Sequence, residues 1–164
     1  MSPLRPAVVA MLLLSSAAHT GGAAPQRAKR GGIVKERLNP AGLAQPRGYS
    51  HVVTARGGKT VFVAGQLALD EKGELVGRGD LKAQAQQAFE NLRVALRAAG
   101  AGFEDVVKLN SYVVGLRPEL LDALRGVRRS FMGELAVPAS TLVGVQALAR
   151  EGCLIEIEAV AVVD

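Results

Sequence analysis

The chain contains no tryptophan, and aromatics make up only 4 % of its 164 residues. Any core must therefore be assembled from Ala, Val, Leu and Ile, and it depends on close packing of small side chains rather than on a few large ones. Cysteine is almost missing: Cys153 stands alone, which excludes an intramolecular disulfide and a multi-thiolate zinc site. His19 and His51 are the only histidines. A metal would have to rest on carboxylates, and no run of acidic residues offers a cage, so no metal is expected. Beyond the apolar stretch that starts at Ala7, nothing approaches the roughly 20 apolar residues a spanning helix needs. The mature chain is expected to have no membrane partner.

What is present is an apolar content of 49 % with 21 % charged residues, too apolar for a disordered chain. The length suits one domain, the commonest size being about 100–150 residues. A net charge of +5 and a pI of 9.8 raise nucleic acid or an anionic membrane as partners. The charge is not spread over the chain, however. Arg5, Arg27, Lys29, Arg30, Lys35 and Arg37 precede Leu38 with only Glu36 against them, and the remainder carries 14 residues of each sign. A neutral domain gives no case for nucleic acid.

Residues 1–24 have the pattern of a secretory signal peptide: Arg5, an apolar run from Ala7 to Leu14 extending through Ala18, and small residues at Gly22 and Ala24. Cleavage is expected after Ala24, with export to a periplasm or beyond. The other reading is a start codon assigned too far upstream, which leaves the protein cytoplasmic. Residues 25–37 read as a basic linker and 38–164 as the folded domain.

Within the domain, the β-branched runs His51 to Ala55 and Thr60 to Ala64 flank Arg56-Gly57-Gly58-Lys59 and predict a hairpin. Asp70-Glu71-Lys72-Gly73 predicts a turn, with a short strand at Leu75-Val76. Asp80 is a good N-cap for a helix whose residues Leu81, Ala85, Ala88, Phe89, Leu92, Ala95, Leu96 and Ala99 form one apolar stripe, and Gly100 is suited to ending it. Val106 to Val114 reads as a buried strand, and Pro118 opens a second helix that runs to about Met132 through Leu124, Val127, Arg128 and Phe131. Thr141 to Leu148 and Leu154 to Val163 are two more strands. In the last, Ile155, Ile157, Ala159, Ala161 and Val163 share one face and Glu156, Glu158, Val160 and Val162 the other. The order predicts an α+β domain with helices on one face of a mixed sheet. An apolar second face, with Val143 and Val145 beside Val160 and Val162, predicts a homo-oligomer.

Asn39-Pro40, Gly48-Tyr49-Ser50, Val63-Ala64-Gly65-Gln66, the Gln84 to Gly100 helix, Asp105-Val106-Val107-Lys108, Pro138-Ala139-Ser140-Thr141 and Ile155-Glu156-Ile157-Glu158-Ala159 follow in the order and spacing of one family. From about Glu36 to Val163 the chain resembles the RidA/YjgF family of reactive-intermediate deaminases. The resemblance implies a chorismate-mutase-like α+β protomer in a homotrimeric barrel, with a small-molecule ligand in clefts between subunits. It further implies hydrolysis of enamines and imines to 2-oxo acids and ammonia, without a cofactor.

In that family an arginine that holds the substrate carboxylate follows the Pro-Ala matched here by Pro138-Ala139; this chain has Ser140. Charge-assisted hydrogen bonds contribute roughly 1.5–3 kcal/mol each. Losing two would weaken binding of a 2-imino acid by on the order of 10²-fold. A substrate without a carboxylate is then favoured, unless Arg125 or Arg150 reaches the cleft from elsewhere. By the same resemblance Glu156 orients the attacking water as the catalytic residue, Tyr49, Gly65 and Gln66 line the cleft, and Ser140 and Thr141 offer hydroxyl donors. Glu158 reads as a strand carboxylate, His51 as a hairpin residue, and Cys153, which does not match the family's cleft cysteine, as structural. The competing class is a non-catalytic trimer that binds a small ligand or a protein. Chorismate mutase chemistry rests on fold analogy alone, and the chain offers few cations for a dicarboxylate.

Overall fold

The computed structural model describes residues 32–134 and 137–164. The signal peptide expected over 1–24, and the linker up to residue 31, lie outside them. The first described strand, β1 (Val34–Leu38), falls, all but Leu38, in the segment read as linker. It pairs antiparallel with β2 (Val52–Arg56), from Val34 opposite Arg56 to Leu38 opposite Val52. Lys35 also leaves the ribbon to pair with Asp105 at 2.7 Å.

The main sheet has four strands, β3 (Lys59–Leu67), β4 (Val106–Val114), β5 (Ala139–Val145) and β6 (Ile155–Val163), in the order β3-β6-β4-β5. β6 is antiparallel to both its neighbours, and β4 and β5 are parallel. Parallel neighbours need a crossover. Helix α2 (Leu121–Met132) supplies it between β4 and β5, and helix α1 (Leu81–Ala98) links β3 to β4. Both helices contribute to the core on the face formed by Ile155, Ile157, Ala159, Ala161 and Val163.

The hairpin expected across Gly57-Gly58 does not form. Both glycines have the positive φ expected, +78° and +71°, but β2 is partnered by β1 while β3 joins β6. The reason lies outside the turn: Val34–Leu38 is a strand in its own right and offers β2 a partner in full register. The turn therefore carries the chain from one sheet into another. A Cβ on Gly58 would overlap the Val163 carbonyl oxygen, so glycine is needed for close approach as well as for φ.

Other expectations hold. Asp80 caps α1 by accepting from the Ala83 N–H at 3.0 Å, and Gly100 follows the helix at φ +75°. Asp70 closes the predicted turn by accepting from the N–H groups of Lys72 and Glu74, and only an isolated bridge, Leu69 to Leu75, stands where a short strand was expected. β5 begins two residues earlier than predicted and ends at Val145. Leu92 and Leu96 of α1 are fully buried, each such burial being worth about 1.5–3 kcal/mol. Three of the four phenylalanines, Phe89, Phe103 and Phe131, form one cluster with ring centroids 5.3–6.1 Å apart. Phe62, on the sheet's other face, is 78 % exposed.

Gln84 is fully buried on the helix face. Its amide nitrogen donates to the carbonyls of Gly77 and Gly152, and its oxygen accepts from the Leu154 N–H at 2.7 Å. One side chain thus satisfies three backbone groups in the turns before α1 and before β6. Replacing it with Met, of similar volume, leaves the Gly152 carbonyl and the Leu154 N–H without this partner, at about 1–3 kcal/mol for each unsatisfied buried group, while the Gly77 carbonyl keeps its bond from the Asp80 N–H. Gln84→Met is expected to lower unfolding free energy by at least about 2 kcal/mol in urea titrations; an unchanged midpoint would contradict the role assigned to the amide.

The Lys35 to Asp105 pair gives a pH-dependent test. Burial opposes ionisation of Asp105, but the Lys35 ammonium and the Gly102 N–H outweigh it and hold the carboxyl below its ordinary pKa. A depressed folded-state pKa contributes stability above the unfolded value, near 3.9, and that contribution disappears as pH falls through the folded value. Acid titration of Lys35→Met is expected to show a shallower loss of stability below about pH 4 than the unmodified chain. Equal slopes would show that the pair does not couple to folding.

Candidate functional site

The loop before β2 is fastened to the start of β5. Ser50 is buried, its N–H donates to the Pro138 carbonyl at 2.9 Å, and its hydroxyl donates to the Val137 carbonyl at 2.9 Å. Gly48-Tyr49-Ser50 and Pro138-Ala139-Ser140, far apart in sequence, are thereby held side by side. Tyr49 and Ser140 both line a cavity of about 300 Å³ on the helix side of the sheet. Its floor comes from the strands, through Ser111, Leu142 and Ile155, and one wall is the Leu121, Leu124, Arg125 and Arg128 stripe of α2. Arg47, from the loop, completes the rim.

Ser140 is opposite Leu109 in the β4–β5 register, and Leu109 is a buried core residue. Alternation puts Thr141 and Glu156 on the opposite face. Thr141 is exposed and its hydroxyl accepts from the Lys108 ammonium at 2.6 Å. Glu156 lies beside Gly65, where a Cβ would overlap its carboxylate. Gly65 and Gln66 line a groove between β3 and α1 rather than the Tyr49 cavity, and the Gln66 amide donates back to the Ala64 carbonyl. Of the six site residues predicted, the protomer therefore joins Tyr49 with Ser140 and Glu156 with Gly65. It does not join the two pairs.

Glu158 is occupied by its neighbours, its Oε1 accepting from Asn110 at 2.7 Å and from the Tyr112 hydroxyl at 3.0 Å. The hydrogen bond to Glu158 first, and burial second, push the Tyr112 phenol above its ordinary pKa. Glu156 has no ion-pair partner among the described residues. His51 directs its Nε2 to the Ala44 carbonyl at 2.8 Å and meets Tyr49 edge-on, with centroids 5.3 Å apart. Cys153 is buried, and burial raises its thiol pKa; both fit structural residues. Among the described residues no group of three or more His, Cys, Asp or Glu side chains could hold a metal, and no helix is long and apolar enough to cross a membrane.

The expectation that the cleft is short of cations needs correcting. Arg125 reaches the cavity, Arg150 does not, and Arg128 and Arg47 do. A signal for the helical pair was present in the sequence: residues 121, 124, 125 and 128 share one helix stripe, and a guanidinium on an apolar stripe needs a polar destination. Arg128 is half-buried, and burial, then repulsion from Arg125 and Arg129, lowers its pKa. Gly48, at φ +78°, leaves the space into which this guanidinium fits, since a Cβ there would overlap its Nη2.

Comparison with known proteins accords with this architecture. The family model described as endoribonuclease L-PSP matches residues 40–163. A RutC family protein of Pyrococcus horikoshii is 36 % identical over 130 residues, covering 78 % of this chain and 98 % of the relative. A 2-iminobutanoate/2-iminopropanoate deaminase of Dermatophagoides farinae is 32 % identical over 121 residues, covering 73 % and 90 %. The crystal structure of a Rid-family protein of unknown function from Yersinia pestis superposes with a TM-score of 0.75 at 43 % identity, covering 79 % and 98 %. With two helices on one face of a mixed sheet, Ser50 tying two of the shared motifs together and matches running the length of the domain, the fold is the chorismate-mutase-like α+β fold and the chain belongs to the RidA/YjgF family.

Proposed function

We propose that this chain hydrolyses small reactive enamines or imines, or a related labile carbonyl compound, at clefts between the subunits of a homotrimer. The observation that carries the reading is the convergence of Tyr49 and Ser140 on one cavity, in a chain with a 2-iminobutanoate/2-iminopropanoate deaminase among its relatives. The reaction adds water across C=N and expels ammonia, leaving a carbonyl. The C–O bond formed from water is balanced by the C–N bond broken as ammonia leaves, and no oxidation state changes, so a carboxylate that orients water and shuttles protons is sufficient. Glu156 is the residue suited to that work. It lies on the other face of its own sheet from Ser140, so the reading has one subunit present its Glu156 face to the Tyr49 and Ser140 face of another. The exposed Phe62, Leu142 and Val143 supply apolar surface for such an assembly.

Ser140 alters the substrate. A hydroxyl at the end of Pro138-Ala139 cannot make the bidentate contact of a guanidinium, so 2-iminopropanoate lacks the contact that this position supplies in the family, and the preferred compound is one met by the arginines elsewhere in the cavity. The separation of Glu156 from Ser140 within the protomer favours one other reading, a non-catalytic trimer whose clefts bind a metabolite or whose surface binds protein.

The full chain should be added to freshly generated 2-aminoacrylate, which tautomerises to 2-iminopropanoate, and keto-acid release followed. Slow release is expected from the unmodified chain and at least about tenfold faster release from Ser140→Arg, which regains two charge-assisted bonds. Glu156→Gln is expected to lower kcat by about 10²–10⁴-fold with little change in KM. If both the unmodified chain and Ser140→Arg are inert, and Glu156→Gln changes no ligand binding, the hydrolytic reading fails. Light scattering is expected to give a trimer mass; a monomer at micromolar concentration would remove the shared cleft.

A further inference from the structure

The cavity beside Tyr49 carries more positive charge than its protomer balances. Arg47, Arg125 and Arg128 line it, and no carboxylate does. Arg125 is paired with Asp122 at 2.8 Å. Arg47 and Arg128 take part in none of the ion pairs among the described residues. Two guanidinium groups are therefore left over, one from the loop and one from α2. Arg128 is the more telling of the two, because it is half-buried. Desolvating a cation costs free energy that an ion pair or a bound anion offsets. The Gly48 backbone is shaped to admit it: the left-handed φ of +78° and the missing Cβ together leave room for the guanidinium. Apolar Phe89, Leu121, Leu124, Leu142 and Ile155 are among the remaining lining residues, and beside apolar side chains a lower dielectric strengthens attraction for an opposite charge.

We infer that this cavity binds the doubly charged end of a small organic anion, a dicarboxylate or a phosphate monoester, with Arg128 and Arg47 as the specificity-determining residues and Ser140 as a neutral hydrogen-bond donor between them. Two unbalanced guanidinium groups match two negative charges, and each forms planar, paired bonds to carboxylate or phosphate oxygens. A single carboxylate would leave one of them unmatched. The inference concerns binding alone and stands whether or not the cleft is hydrolytic.

Titration calorimetry of the full chain at low ionic strength tests it, with malonate, inorganic phosphate, propanoate and neutral malonamide as probes. Malonate or phosphate is expected to bind at least about tenfold more tightly than propanoate, and malonamide not measurably. Whichever dianion binds more tightly identifies the ligand class. Arg128→Gln is expected to lower dianion affinity about tenfold or more, and Arg47→Gln likewise. Arg97→Gln, which removes an exposed charge of α1 outside the cavity, should leave affinity unchanged. Arg47 is exposed and its replacement should not disturb folding, so it keeps the test valid should Arg128→Gln unfold. Equal affinity for malonate and propanoate, or dianion binding that survives Arg47→Gln and Arg128→Gln alike, would overturn the inference. Because no turnover is measured, this outcome is separate from the imine assay: dianion binding stands even where the unmodified chain and Ser140→Arg are both inert toward imines and the hydrolytic reading fails.

Discussion

β6 is hydrogen-bonded along both edges, to β3 and to β4, so only its two faces remain to meet anything else. One face is Ile155, Ile157, Ala159, Ala161 and Val163, all buried; the other carries Glu156 and Glu158. A one-residue slip would bring carboxylates into the core and aliphatic side chains to the opposite face. That prohibition sets the register of β3 and β4, and through β4 the register of β5. Both helices must then lie on the aliphatic side. Gln84 adds a polar lock to the same side, holding the entry to β6 through Leu154 while closing the turn before α1.

The same alternation distributes the chemistry. Ser140 shares the helix side with Tyr49 and the α2 arginines, while Thr141, Glu156 and Glu158 are turned to the other side. A ligand in the cavity meets guanidinium groups, hydroxyls and aliphatic carbon. A ligand on the open face meets carboxylates and Tyr112. Only contact between copies of the chain could merge these into one site.

Much of this was legible because it is local or strictly periodic. The Asp80 cap, the stop at Gly100 and the two faces of β6 each follow from residues within one turn or one strand. β1 was not legible: Val-Lys-Glu-Arg-Leu carries three charges in five residues, and it becomes a strand because β2 offers it backbone partners in register. The hairpin failed for the same reason, since the turn residues were right and a more distant strand won the pairing. Gln84 looked like one polar residue of a helix, because its three partners lie in turns on either side of it, the farthest 70 residues away. Arg128 stood on the apolar stripe of α2 and was absorbed into it, although its side chain ends in the cavity. The family motifs pointed to Tyr49 and Ser140, which line one cavity; that Glu156 lies on the opposite face from Ser140 becomes clear only once the register of β4, β5 and β6 is known.

α2 is a crossover, joined to the sheet through its inner stripe and obliged only to return the chain from β4 to β5 in the parallel sense. Arg125 and Arg128 sit where that stripe meets the cavity, so the charge offered to a ligand is written on a part of the chain that sets no strand register. Changing it leaves the alternation of β6, the Gln84 lock and the cap of α1 untouched. Ligand preference and foldedness therefore rest on different residues.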